Sequence, residues 1–94
     1  MPVIAFLEGR LLAIDCVRET CINGNLVRFN KATFLISFGV QVRMGTMMFW
    51  GEEMNELSNL RLGQNYAFVA GLEVEEDLFL LYFLPQVTRF KDSR

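Results

Sequence analysis

The stretch "VIAFLEGRLLAIDCV", residues 3–17, is rich in aliphatic residues and contains one glycine, and this combination indicates the fold class. A glycine at position 9, inside a strand pattern, indicates a β-bulge or a sharp bend. A strongly bent first strand favours a sheet that closes into a barrel. The rival arrangement is an open five-stranded sheet covered by one helix.

Further strands are predicted from runs of apolar and alternating residues bounded by turn signals. The dipeptide "NG" at 23 and 24 favours a tight hairpin. A turn is predicted near Arg43 to Gly45, and the acidic segment "EVEED" is a second predicted turn. Pro85 restricts the late part of the last strand to an edge or bulge position. The predicted strands after the first are residues 31–42, 46–50, 65–74 and 77–90.

The hydrophobic period changes after Gly51, where a short helix of about two turns is predicted. Glu52 and Glu53 suit the positive end of a helix dipole, and Gly63 is the predicted stop. One apolar edge is formed by residues that recur every three positions: Met54, Leu57 and Leu60. Three strands, a helix and two strands are the arrangement of an OB barrel. We therefore predict a single domain over residues 1–94, an all-β, five-stranded OB-fold barrel with one short helix between strands 3 and 4.

Composition excludes several classes of function. The 94 residues are 52% apolar and contain no histidine, so His-based acid/base catalysis and the common nucleophilic triads are excluded. Cys16 and Cys21 are interpreted as structural residues, since a zinc site would need carboxylates alone to complete it. We expect a protein that is not an enzyme and has no metal and no cofactor.

The chain also lacks the signals of export and membrane insertion. The N-terminus has no basic region followed by a sustained apolar stretch. The longest apolar run, residues 78–85, is too short to span a bilayer. These features predict a cytoplasmic protein without a membrane partner.

Charge is distributed unevenly along the chain. Residues 1–50 carry five basic and three acidic side chains, whereas residues 51–94 carry four basic and eight acidic ones. An asymmetry of this kind permits one basic face on a protein whose net charge is −2.

Short pieces spread over residues 3–90 resemble the bacterial single-stranded DNA-binding protein family and its primosomal relatives. The resemblance lies in the order of "FLEGRL" (6–11), "DCVR" (15–18), "NG" (23 and 24), "ATFLIS" (32–37), "MMFWG" (47–51) and "LRLGQNYAFVAGLE" (60–73). It implies an OB barrel that binds single-stranded DNA and self-associates. It also implies that the aromatic residue before the glycine, Trp50, contacts DNA.

The sequence departs from that family in four places. The long basic hairpin between the second and third strands is cut to a tight turn, and Glu52 stands where the family tends to carry lysine. The connection "EVEED" is acidic where the family's is often basic, and no acidic, aromatic-ended tail follows "KDSR". The resemblance is therefore to a shortened and divergent relative.

Strand alternation predicts which residues line the barrel and which face outward. Predicted inside is the purely apolar set Phe34, Ile36, Phe38, Met47 and Phe49. Predicted outside is the set Lys31, Thr33, Ser37, Thr46, Met48 and Trp50. A large ring among hydroxyls and a lysine is what a base-stacking surface requires. The alternative is that Trp50 packs beneath the following helix.

The leading hypothesis is a protein that binds single-stranded DNA with little sequence preference, by base stacking and phosphate neutralisation. The alternative is a protein-interaction or assembly module that does not bind nucleic acid. The predicted nucleic-acid-binding residues are Trp50, Met48, Lys31, Arg10, Arg18, Arg28 and Arg43. A homo-oligomer, a dimer, is also expected, because residues 78–84 are apolar on both faces of a strand.

Overall fold

Seven β-strands and one 3₁₀ helix form between residues 2 and 93, the part of the chain that this computed structural model describes. In chain order these are β1 (Val3–Ile14), β2 (Arg18–Ile22), β3 (Asn25–Phe38), β4 (Gln41–Trp50), the 3₁₀ helix (Gly51–Asn59), β5 (Asn65–Val74), β6 (Leu78–Tyr82) and β7 (Lys91–Ser93).

Strand β1 closes the sheet into a barrel by pairing with two neighbours. Its residues from Val3 to Arg10 pair with β5, and those from Glu8 to Ile14 pair with β3. Strands β3 and β4 are antiparallel, β4 and β6 are parallel, and β6 returns to β5, which completes the ring. The predicted five-stranded OB barrel is confirmed, with β2 and β7 as additional strands.

Gly9 allows this closure, because it lies where β1 is paired on both edges. It is aligned with Ile36 on β3 and Tyr66 on β5. A Cβ atom on Gly9 would lie 2.6 Å from Cδ1 of Ile36, which is fully buried. The β-bulge or bend that was predicted at Gly9 is found three residues later in β1. The pairing register with β3 shifts there, between Leu11 and Ala13.

The predicted turn near Arg43 to Gly45 is wrong, because these residues lie within β4. The chain reverses instead at Gly39, whose φ of +63° is a left-handed conformation that favours glycine. Gly45 serves close packing, since a Cβ atom there would lie 2.9 Å from Cγ1 of Ile36.

The "NG" turn is confirmed and connects β2 to β3. Asn23 and Gly24 have φ values of 51° and 80°. Two positive values in succession are characteristic of the tight hairpin turn predicted from this dipeptide. The predicted first strand over residues 3–17 is correspondingly shorter, because β1 ends at Ile14 and β2 begins at Arg18.

The helix forms after Gly51 as predicted, but in 3₁₀ geometry, and it ends at Asn59 before the expected stop at Gly63. Its predicted apolar edge is confirmed, because Leu57 is buried while Met54 and Leu60 pack against the core. At its start, the backbone N–H of Trp50 donates to the carboxylate of Glu53 at 3.0 Å.

The last predicted strand, over residues 77–90, is only partly correct. β6 ends at Tyr82, and the chain then leaves the sheet and closes one end of the barrel with two rings. Phe83 lies 5.4 Å from Phe49, and Phe90 lies 4.9 Å from Phe68, between ring centroids. Phe79 and Leu81 therefore fill the core from within β6, and Phe83 and Phe90 add to it after the strand has ended.

Thr88 makes hydrogen bonds at the part of β5 that lies between its pairings with β6 and β7. β6 pairs with the end of β5 and β7 with its beginning, so the carbonyl of Val69 lies between them. The buried hydroxyl of Thr88 donates to this carbonyl at 2.6 Å and accepts from the N–H of Leu84 at 2.9 Å. One threonine thus satisfies backbone groups that no strand reaches.

The predicted inside set is confirmed except at one position. Phe34, Ile36, Met47 and Phe49 are buried in the barrel, but Phe38 is 40% exposed. Pairing between β1 and β3 starts only at Glu8 and Ser37, so Phe38 lies beyond the closed part of the barrel. Its ring instead packs edge-on against Phe79.

Within residues 2–93, no helix is long and apolar enough to cross a membrane.

We predict that Gly9→Ala destabilises the protein by about 1–3 kcal/mol, because the added methyl group overpacks a close-packed core. Chemical denaturation measures this loss as a lower midpoint. The matched test is the same substitution in an Ile36→Val background, which lacks the Cδ1 atom that the new methyl group meets. Gly9→Ala should cost clearly less there. Equal costs in both backgrounds would contradict the packing role given to Gly9.

Candidate nucleic-acid interface

The outward residues of β3 and β4 form one continuous surface, which we call the platform. Register places Phe29 opposite Trp50, Lys31 opposite Met48 and Thr33 opposite Thr46. Opposite residues on an antiparallel pair share a face, and alternate residues along a strand do too. All six are half-buried or exposed, whereas the residues between them on each strand are buried.

Trp50 lies on the platform and outside the buried core. Its ring packs on that of Phe29, with centroids 4.9 Å apart and planes inclined by 33°. The residue remains 37% exposed. Part of the indole is thus fixed by a neighbouring ring, and part is open to solvent. Phe29 was missed in the sequence reasoning, although it continues the outward alternation of Thr33 and Lys31 by one further step.

A small pocket lies on the β2 side of the platform. It has a volume of about 170 Å³ and is lined by Asp15, Cys16, Arg18, Phe29, Asn30, Lys31 and Met48. Arg18 belongs to this side of the sheet because it is aligned with Phe29 across the hairpin. The pocket therefore combines an aromatic ring with two cationic side chains.

Lys31 is held beside this pocket by Asp15. Its Nζ atom lies 3.8 Å from the carboxylate of Asp15, with both side chains partly exposed. The backbone N–H of Asp15 also donates to the carbonyl of Lys31 at 2.9 Å. The lysine charge is thus positioned and partly neutralised in the unbound protein.

The β6 side of the platform has the opposite electrostatic character. A groove of about 360 Å³ is lined there by Thr46, Met48, Trp50, Glu53 and residues 80–83. The hydroxyl of Tyr82 donates to the carboxylate of Glu73. This hydrogen bond raises the pKa of Tyr82 above its ordinary value of 10.0, because ionisation would break it and place two negative charges together. The groove is apolar with an acidic rim.

The structure brings together four of the seven predicted binding residues: Arg18, Lys31, Met48 and Trp50. Arg10 is on the same outer surface but is aligned with Leu35, four residues along β3 from Lys31. Four residues of strand correspond to about 13 Å. Arg10 therefore lies at the margin of the platform, where its Nε donates to Asn65 at 3.4 Å.

Arg28 and Arg43 lie away from the platform. Arg28 is aligned with Glu19, lies 4.0 Å from its carboxylate, and alternates in direction with Phe29. It lines a shallow surface with Glu52 at the start of the 3₁₀ helix. Arg43 donates to the carbonyl of Glu75 at 2.9 Å, and its guanidinium lies 5.5 Å from the ring centroid of Phe79. These contacts fix the acidic turn between β5 and β6.

Within residues 2–93, no group of three or more His, Cys, Asp or Glu side chains is arranged to hold a metal ion. Comparison with models of protein families, with curated proteins and with solved structures finds no match to this chain. The resemblance to single-stranded DNA-binding proteins therefore stays a prediction from the sequence.

Proposed function

We propose that the protein binds single-stranded DNA with little sequence preference and acts as a binding protein rather than an enzyme. The observation that carries the proposal is the partly exposed Phe29–Trp50 ring pair beside Lys31 and Arg18. Bases stack on aromatic rings regardless of identity, and cations beside the rings neutralise phosphates.

The charges on the two sides of the platform favour one orientation of bound single-stranded DNA across it. Lys31 and Arg18 attract phosphates on the β2 side. Glu53 repels them on the β6 side. The sugar-phosphate backbone would follow the β2 side while the bases extend across Met48 towards Trp50.

We propose that this activity takes place in the cytoplasm. Cys16 and Cys21 are both exposed and unpaired with each other. Exposed free thiols are compatible with the reducing conditions of the cytosol.

A protein-interaction role is the second candidate, and it is favoured by apolar side chains outside the platform. Val40, at the turn between β3 and β4, is fully exposed, and Val42 and Val74 are more than half exposed. Salt separates the two roles, because phosphate contacts weaken steeply with ionic strength and apolar contacts do not.

We predict that oligothymidine quenches the fluorescence of Trp50, the only tryptophan, and that added salt reverses the quenching. Replacing the ring by Trp50→Leu should lower affinity by about 1–3 kcal/mol while the far-ultraviolet circular dichroism spectrum is kept. The matched control is Phe38→Leu, because Phe38 is a similarly exposed ring at the other end of β3. Absence of quenching at low salt in the folded protein would refute the role of Trp50.

We predict that Asp15→Asn strengthens oligothymidine binding by about twofold to fivefold, because it releases Lys31 from a surface ion pair. Glu19→Gln is the control, since it removes the same charge from the pair that Arg28 makes on the other face. Titrations at low salt should give a smaller gain for Glu19→Gln. Equal gains would mean that net charge alone acts, and that Lys31 is not part of the interface.

The proposal also includes self-association into a homodimer through β1. Pairing between β1 and β3 starts at Glu8, so among residues 2–93 the segment 3–7 is paired only on its β5 edge. Ile4 and Phe6 on this segment are 72% and 66% exposed. An unpaired edge with large apolar side chains is a template for a second strand.

We predict a dimeric mass by light scattering at about micromolar concentration, and a monomeric mass for Phe6→Glu, because a buried unpaired charge opposes association. Leu26→Glu is the control, since Leu26 is a similarly exposed apolar side chain but lies in the β2–β3 hairpin, at the opposite end of β3 from the residues that follow Ser37. It should leave the mass unchanged. A monomeric mass for the unmodified protein would refute the dimer.

A further inference from the structure

We propose that the carboxylate of Glu53 accepts a hydrogen bond from the amino group of a base that enters the groove on the β6 side of the platform. The inference rests on the proposed function and deepens it, because it adds one base-reading position to a strand that is otherwise bound without regard to sequence. Cytosine, adenine and guanine carry such an amino group, and thymine does not.

The groove exists because β4 continues further than its neighbour β6. Pairing between the two strands ends at Met48 and Tyr82, and β4 goes on to Trp50 while the other chain segment leaves the sheet. Within residues 2–93, the space beside the end of β4 is therefore not filled by a strand on this side. Its volume of about 360 Å³ is within the range of roughly 300 to 1,000 Å³ that ligand pockets occupy, so the ring of a base fits.

Glu53 is fixed to the end of β4 by a hydrogen bond. Its Oε1 atom accepts the backbone N–H of Trp50 at 3.0 Å, and its side chain lines the groove beside Tyr82 and Phe83. The same residue, Trp50, thus holds the carboxylate and supplies the partly exposed ring on which a base would stack.

The other oxygen of this carboxylate, Oε2, is accessible to a ligand. Within residues 2–93 it makes no hydrogen bond, and it is not one of the buried atoms that lack a partner, so solvent reaches it. The ion pairs in this part of the chain join Glu19 to Arg28 and Asp15 to Lys31, so the charge of Glu53 is not compensated by a basic side chain there. An accessible, charged acceptor therefore lies beside a stacking surface.

The charge of Glu53 selects which part of a nucleotide enters the groove. A carboxylate repels phosphates, so the sugar-phosphate backbone stays on the β2 side, beside Lys31 and Arg18. A base is uncharged, stacks on an aromatic ring, and in a single strand exposes its Watson–Crick edge. Carboxylates accept from the N4 amino group of cytosine. Thymine places its O4 carbonyl at the same position, where two acceptors would repel each other.

The test compares single strands of 5-methyldeoxycytidine and of thymidine at mildly alkaline pH, because the two bases share the ring and the methyl group and differ only at C4 and N3. Unmodified protein should bind the 5-methylcytosine strand about threefold to tenfold more tightly, the gain expected for one hydrogen bond. Glu53→Gln should abolish or reverse this preference. Its amide oxygen still accepts the N–H of Trp50, which leaves an NH₂ donor in place of Oε2, and this donor suits the O4 of thymine.

Glu52→Gln is the matched control. Glu52 is the preceding carboxylate, is exposed, and lines the shallow surface on the hairpin side together with Arg28. Its replacement removes the same charge, so both strands should bind more tightly while the ratio of their affinities is kept. A general effect of charge cancels in that ratio.

Equal binding of the two strands by the unmodified protein would overturn the inference and leave the proposed function standing, and this comparison needs no variant to fold. The same preference in Glu53→Gln as in the unmodified protein would also overturn it. Equal binding together with quenching of Trp50 by a short leucine–lysine peptide would assign the groove to a protein partner instead. Failure of the unmodified protein to bind either strand at low salt would refute the proposed function itself.

Discussion

The close approach of β1 and β4 to Ile36 is the constraint on which the barrel depends. Gly9 lies directly opposite Ile36 on β1, and Gly45 lies beside it on β4. A side chain at either glycine would overlap Ile36, which is fully buried in a close-packed core. Because β1 must reach β3 and β5 at once, loss of this approach would open the sheet and release the platform from its support.

The fold was largely predictable because its signals are local. Alternation along β3 and β4 separates Phe34 from Lys31, and Met47 from Met48, without knowledge of any partner strand. Gly45 was misread as a turn because a glycine that permits close packing is indistinguishable in sequence from one that reverses the chain. The closure by Phe90 depends on contacts with residues far away in the chain, and no local pattern reports these.

The candidate site was predictable only in part, for a related reason. Period-two reasoning placed Lys31, Met48 and Trp50 together correctly. It missed that Arg43 donates to a carbonyl of the β5–β6 turn, because the turn predicted at residues 43–45 ended the strand before the alternation of Met47 and Phe49 could be extended to Arg43.

Net charge is a poor guide to whether such a protein binds a polyanion. The acidic turn between β5 and β6 ends next to Leu78, which is aligned with Met44 on β4. Lys31 is aligned with Met48, four residues further along β4. That separation is about 13 Å along the strand. Surface charges are screened over about 8 Å at physiological salt, so the turn contributes little to the field at Lys31. The field at the platform is therefore set by its own residues, and a local cationic edge beside an aromatic pair is compatible with a net charge of −2.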